Sequence, residues 1–356
     1  MMIFETENDP RRDPLLLWLT GGPGCSAFSG LVFEIGVACP LTFKNEEYNG
    51  SLPNLTLKPQ SWTKVSSIIF LDLPASTGFS YLKTKLSLFL KFNKFGSWLI
   101  DRPEFLSNEV YIAGDSYCRI PVLVIVKEIS NGNEGGIQPW INIQVCAFIN
   151  EAAEKNYEIP FNQGMTIISD ELYESLQKNC RGEYHNIDPR NALCVRDMQS
   201  YDHNYKLVTH SFLALPQSIS GLEIGHVLEP YCDESEPRND MESHACVIFT
   251  YWANDDNVSK ALHIRKGSIG KWTPCNDDLK SKFNSDIPNS FQYHVNLSGK
   301  AWIRSLNYSI VSDWKQWYYN DQVAWTYSNR MTFATVKGGG HTAPEYKPEE
   351  CLAMFS

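Results

Sequence analysis

The 356-residue chain carries 31 Lys and Arg against 41 Asp and Glu, a formal charge of −10, with 43% hydrophobic and 20% charged residues. That composition is globular and excludes a low-complexity chain; the acidic balance argues against nucleic acid as a partner. No apolar run reaches the roughly 18 residues that a membrane-crossing helix needs, so no membrane partner is expected, and the length allows one large domain with an insertion or two domains.

The start, from Met1 to Glu7, shows no basic patch followed by an apolar core, so no signal peptide is visible. Ten cysteines and five glycosylation sequons, at Asn49, Asn54, Asn257, Asn296 and Asn307, point instead to an oxidising, secretory compartment. A fragment or a displaced start would reconcile the two.

Residues 14–19, PLLLWL, form a short continuous apolar run closed by TGGPGCS at 20–26. Such a run reads as a central parallel strand entering a glycine-rich loop. Glycines around a proline let backbone N–H groups face a ligand with no Cβ in the way, although Gly and Pro also make plain turns. A second apolar strand is predicted at 67–71, followed by a turn.

Tyr111, Ile112 and Ala113 read as the end of a buried strand, Gly114-Asp115-Ser116 forces a sharp turn, and 121–126, PVLVIV, continues as an apolar helix. A serine on a strand-to-helix turn presents its hydroxyl at the carboxyl edge of the sheet, beside the amides of the first helical turn. Gly-x-Ser alone fits an ordinary tight turn as well. The second motif, Gly338-Gly339-Gly340-His341, follows an apolar strand at 331–336 in the order a serine hydrolase needs. With both in place, Ser116 is the candidate nucleophile, His341 the candidate general base, and the glycine loop the second oxyanion donor, with Gly22 its amide.

Between residues 156 and 246 the pattern turns more polar and cysteine-bearing, with helical pieces such as 169–179. That stretch is assigned as a cap inserted over the active site. The division is therefore 1–150, first part of the core; 151–246, cap; and 247–356, second part of the core with His341. Spacing alone leaves the cysteine pairing open. A zinc site is the rival use of the cysteines, but no Cys-x-x-Cys spacing occurs, and no metal or cofactor is expected.

Five segments, LLLWLTGGPGCS, IIFLDLPASTGFSY, PEFLSNEVYIAGDSYCRIPV, IPFNQGMTIISDELYESLQKNC and TYSNRMTFATVKGGGHTAPEYKPEE, closely resemble the plant serine carboxypeptidase-like family, of the α/β-hydrolase fold. The resemblance implies a mostly parallel central sheet with helices on both faces and an inserted cap. It implies Ser116 as nucleophile, His341 as base, and the amides of Gly22 and Tyr117 as the oxyanion hole. Glu34 and Asp115, with Thr20 and Gly21 nearby, match residues that in peptidase members bind the substrate's terminal carboxylate. Such acids must share a proton with that carboxylate, which raises a pKa and favours acidic working pH. Peptidase members usually have Asn at position 20 and Glu at 115. The Thr and Asp forms resemble the branch that transfers acyl groups from glucose esters to small acceptors, so acyl transfer is favoured over peptide cleavage. By the same resemblance Cys25 pairs with Cys275, Cys180 with Cys194 and Cys232 with Cys246, and the protein is secreted or vacuolar. Cys39, Cys118, Cys146 and Cys351 stay free.

Several places depart from the family pattern. Arg119 stands where the family has Gly, residues 82–97 do not resemble the expected helix, and 145–150 runs into Glu151-Ala152-Ala153-Glu154 in place of a strand ending in Gly-Asn-Pro. Most consequential, residues 291–300 run straight into 301–306, with the strand and Tyr-Ser-Gly-Asp-like turn that carry the family's triad acid missing. Asp313 and Asp321 lie between Ser116 and His341 but match non-catalytic positions. Loss of the orienting acid lowers turnover by about four orders of magnitude in serine proteases. Two readings therefore stay open: an enzyme acting through Ser116, on a glucose ester or a peptide C-terminus, and a catalytically impaired homologue or the product of a faulty gene model.

Overall fold

The computed structural model describes residues 1–36, 57–81, 93–149, 155–164, 167–184, 187–210, 222–223, 226–230, 249–276, 278–279, 324–327, 331–334, 336 and 339–356. The apolar runs of the first 150 residues become the strands of one sheet: β1 (Met2–Phe4), β2 (Leu15–Leu19), β3 (Ser67–Phe70), β4 (Val110–Asp115) and β5 (Ile143–Ile149), in the order β1-β3-β2-β4-β5. β1 runs antiparallel to β3, and every other pair is parallel. β2 is the central strand, and its five residues are all buried because both faces are covered. Leu16 and Trp18 enter one core cluster with Phe28, Leu31, Val32 and Phe249; Leu15, Leu17 and Leu19 enter another with Leu99, Val122 and Ile125. A strand buried on both faces has no reason to alternate, hence LLLWL.

Helices α1 (Asn93–Asp101) and α2 (Arg119–Glu134) supply Leu99, Val122, Ile125 and Ile129 to the second cluster. The opposite face is covered by a π-helical turn at Gly30–Glu34 and by the C-terminal helix Pro348–Phe355. This is the α/β-hydrolase arrangement of a mostly parallel sheet between helical layers. α2 begins two residues earlier than the sequence suggests, so Pro121 falls in its first turn, where a missing N–H costs no helical bond.

The chain divides into two units, Met1–Glu151 with Glu234–Ser356, and Ala152–Asp233. The second contains α3 (Lys155–Gly164), α4 (Asp170–Cys180), α5 (Ala192–His210) and a hairpin of β6 (Leu222–Glu223) with β7 (His226–Pro230). Ser169 caps α4 by accepting from Leu172 N at 3.3 Å, and left-handed Arg181 (φ 57°) ends it. A small core of Ile159, Leu176, Met198 and Tyr201 holds the helices, and a disulfide joins Cys180, at the end of α4, to Cys194, at the start of α5.

Back in the first unit, β8 (Ala324–Tyr327) pairs antiparallel with β9 (Met331–Ala334) in a separate two-stranded sheet. A second disulfide joins Cys25 to Cys275; Cys118 and Cys351 are free and buried. The junction at 291–306, Asp313, Asp321, residues 150–154, Cys39, Cys232, Cys246, Asn49, Asn54, Asn296 and Asn307 lie outside the described residues, as do the side chains of Arg119 and Cys146 and most of 82–97.

Candidate active site

β4 ends on Asp115, and the chain turns at Ser116 with φ 50° before a single 3-10 turn, Ser116–Cys118, leads into α2. A non-glycine residue at positive φ is strained by about 1–3 kcal/mol and persists only where its surroundings enforce it. Here they do. β4 is paired through Gly114 to Leu19 on one side and through Asp115 to Ile149 on the other.

The glycine loop lies directly against this turn. A Cβ on Gly21 would sit 2.8 Å from Ser116 Cβ and 3.0 Å from Tyr117 N, so only glycine allows the approach. Gly21 N donates to Asp115 Oδ1 at 2.9 Å, joining loop and strand end. Gly22 is exposed and takes φ 114°; a Cβ there would meet Cys25 N and Sγ at 2.9 Å. Behind the loop, buried Asp72 accepts from Ser26 Oγ at 2.7 Å, Ala27 N at 2.8 Å and Phe79 N at 2.8 Å. Burial pushes the Asp72 carboxyl up, and those three donors pull it back. Sequence reasoning assigned Asp72 no role; it is the anchor of the glycine loop.

Beneath the loop lies a buried acidic group. Glu34, at the end of the π-helical turn, is 3% exposed, and burial first, then Asp115 and Glu345, holds its carboxyl well above the usual range, with Lys58 opposing. Asp115 is pushed up to about 6, chiefly by burial; the Gly21 N–H lowers it and Glu345 raises it. Both acids therefore hold protons in mildly acidic solution and can donate to a carboxylate. Among the described residues, Glu34 Oε2, Thr20 Oγ1 and Trp18 Nε1 are buried without a hydrogen-bond partner. The last two face the same spot, since a Cβ on Gly30 would lie 2.5 Å from Trp18 Nε1 and 3.3 Å from Thr20 Oγ1. Buried polar atoms left open in this way suit a polar ligand group.

His341 is half-buried in the segment after β9, followed at once by the short helix Ala343–Tyr346. Thr342 Oγ1 donates to Glu345 Oε2, and Glu345 acts electrostatically on both Asp115 and Glu34. Lys58 Nζ donates to Glu34 O and, at 3.2 Å, to Pro344 O. The residues that follow His341 thus meet the acidic group beside Ser116. Thr20, Gly21, Glu34, Asp115, Ser116 and Tyr117 gather at the carboxyl edge of β2 and β4. Cys118, at the start of α2, is buried, its thiol pushed well up by burial and then by Asp115 and Glu34. Asn257 is exposed in the first turn of the helix Asp256–Ala261.

Sequence reasoning missed Lys58, Glu345 and the π-helical turn. Glu345 stands four residues after His341 in HTAPE, a spacing that could have drawn attention to it.

The family model for serine carboxypeptidase matches residues 1–299 and 293–356. Serine carboxypeptidase-like 7 of Arabidopsis thaliana is 43% identical over 388 residues, covering 99% of this chain and 84% of the relative. Serine carboxypeptidase-like 1 of the same plant is 44% identical over 393 residues, covering 99% and 83%. Both aligned lengths exceed the chain's own 356 residues, so each relative carries residues opposite gaps here. Among solved structures, Kex1(delta)p, a prohormone-processing carboxypeptidase from Saccharomyces cerevisiae, matches with a TM-score of 0.68 at 17% identity, over 99% of this chain and 84% of that one.

Proposed function

Since the chain belongs to the serine carboxypeptidase family, we propose that it forms an acyl-enzyme through Ser116, and that it passes the acyl group from a glucose ester to a small acceptor rather than cleaving peptides. The observation that carries the acyl chemistry is Ser116 at φ 50° on the end of β4, with Gly21 packed against it and Tyr117 N alongside. Ser116 Oγ attacks the ester carbonyl while His341 takes its proton; the amides of Tyr117 and Gly22 hold the oxyanion; as the C–O bond to the sugar breaks, His341 passes the proton to the departing sugar oxygen. An acceptor hydroxyl or water, deprotonated by His341, releases the acyl group. The preference for transfer rests on Thr20 and Asp115 standing where peptidase members usually carry Asn and Glu. Asp115 is a shorter acid and Thr20 offers a hydroxyl in place of an amide, so the carboxylate subsite of a peptidase is altered at two places. The Ala152–Asp233 unit is the cap of this fold, and the family and the exposed sequon at Asn257 support a secreted or vacuolar, glycosylated protein.

A fluorophosphonate reagent tests the reading: labelling should vanish in Ser116→Ala and slow in His341→Ala. Release of an acyl group from a glucose ester, measured beside hydrolysis of a blocked dipeptide, separates the two activities. Peptide turnover alone would overturn the choice of transfer.

The second reading, an impaired homologue, is favoured by one observation. The family model matches in two stretches that meet at 293–299, next to the junction from which the acid-bearing strand is missing. A folded protein that no serine reagent labels would establish it.

A further inference from the structure

The acidic group and the segment after His341 come from distant parts of the chain, and one buried lysine touches both. Lys58 is 4% exposed. Its Nζ donates to Phe33 O at 2.9 Å, to Glu34 O, and to Pro344 O at 3.2 Å, the last across 286 residues of sequence. An ammonium offers three donors, and three backbone carbonyls from two segments are within its reach. Burying a lysine is costly unless its charge and donors are engaged. A position that needed only apolar volume would be better filled by Met or Leu.

The carbonyls chosen also matter. Phe33 and Glu34 close the π-helical turn, whose last carbonyls lack partners within the turn and favour a positive charge. Pro344 lies three residues past His341, in the first turn of the helix that carries Glu345. We propose that Lys58 is a positioning residue, a clamp that holds the His341 segment against the turn bearing Glu34 and so sets where the base stands relative to Ser116. The clamp gives the Ser116 chemistry proposed above its structural support, and its meaning for catalysis rests on that reading. The charged and titratable groups around it are Glu34 on the turn, Asp115 on β4, Glu345 on the helix after His341, and Glu350 and Cys351 on the C-terminal helix.

Hydrogen exchange on the full chain tests the clamp without calling on activity. In Lys58→Met, amides in 30–36 and 339–347 should exchange about ten-fold faster, with β2 and α4 unchanged and Lys58→Arg returning toward the parent. Fluorophosphonate labelling of Ser116 should slow about ten-fold in Lys58→Met, and its pH profile should move upward, because Glu34 loses the cation that favours its charged form. Unchanged exchange in both segments would overturn the proposal. So would a uniform rise across the sheet, or failure of both Lys58→Met and Lys58→Gln to fold, since the role would then be general stability. Absence of labelling in the parent protein would count against the acyl-enzyme reading alone, leaving the exchange pattern to decide for Lys58.

Discussion

The two sides of the candidate site are built in different ways. On the nucleophile side, backbone register does the placing: β4 is paired from Val110 to Gly114 with β2 and as far as Asp115 with β5, so the strand is fixed to the residue before Ser116. On the histidine side, the preceding strand β9 pairs with β8 in a sheet of its own. The segment beyond meets the nucleophile side through side chains, by Lys58 to Pro344 O and by Glu345 acting on Asp115. A strand end placed by register resists side-chain changes around it, whereas a segment joined by side-chain contacts is sensitive to each of them. The junction at 298–301, where the family resemblance leads one to expect an acid-bearing strand, precedes the histidine side in the chain.

The sharpest way to break this contrast is to rebuild the histidine side. Inserting an apolar strand and a Tyr-Ser-Gly-Asp turn between Ser298 and Ala301 should raise acyl turnover by about four orders of magnitude, read as single-turnover acylation of Ser116. A folded insertion variant with unchanged rate would show that the orientation of His341 is not what limits the enzyme.

The disulfides give the next largest effect. Cys25–Cys275 closes a loop of 250 residues and ties the glycine loop to the second half of the sheet unit, whereas Cys180–Cys194 spans 14 residues within the inserted unit. Replacing the first pair by serine should cost about 5.5 kcal/mol and the second about 3 kcal/mol, by loss of loop-closure entropy. Only the first should also slow labelling of Ser116. Calorimetry beside the labelling assay checks both, and equal labelling in the two variants would separate the glycine loop from the site.

How far the sequence revealed these two sides follows the same division. β2, β3 and β4 are legible because central parallel strands are continuous apolar runs, and the elbow because glycines at 114 and 21–22 mark backbones in close approach. Lys58, in LTLKPQSW, reads as an ordinary surface lysine, since the three carbonyls around it come together only on folding. The π-helical turn was hidden as well: SGLVFEIG has no period that distinguishes one turn of wide helix from a loop. Glu345 reads as a first-turn acid of a short helix until the fold sets it against Asp115 and Glu34.

A smaller effect probes the register side. Gly21→Ala would put a Cβ 2.8 Å from Ser116 Cβ and 3.0 Å from Tyr117 N and from the carbonyl of Asp115, the last paired residue of β4. Labelling should fall about 100-fold, and overpacking should cost about 1–3 kcal/mol. Gly30→Ala, which would crowd Trp18 Nε1 at 2.5 Å on the π-helical turn, should cost similar stability and less labelling. The reverse ranking would put the oxyanion hole elsewhere.

The smallest effect is the pH dependence of stability, and its sign distinguishes buried acids from surface ones. Asp115 is raised in the folded protein from 3.8 to about 6, by burial before any other cause, and Glu34 is raised well above its own ordinary value. Between the two Asp115 values the folded chain binds more protons than the unfolded one, so stability declines as pH rises through that window and recovers as pH falls toward 4. Ordinary salt-bridged carboxylates behave in the opposite sense. The melting temperature should therefore rise by a few degrees, on the order of 2–4 °C for each kcal/mol, between pH 7 and pH 4.5. Asp115→Asn should flatten that rise, because its neutral amide has no proton to gain and no charge with which to raise Glu34. A melting temperature that falls steadily on acidification, with Asp115→Asn indistinguishable from the parent, would mean that Asp115 is charged throughout and that its burial does not hold a proton on it.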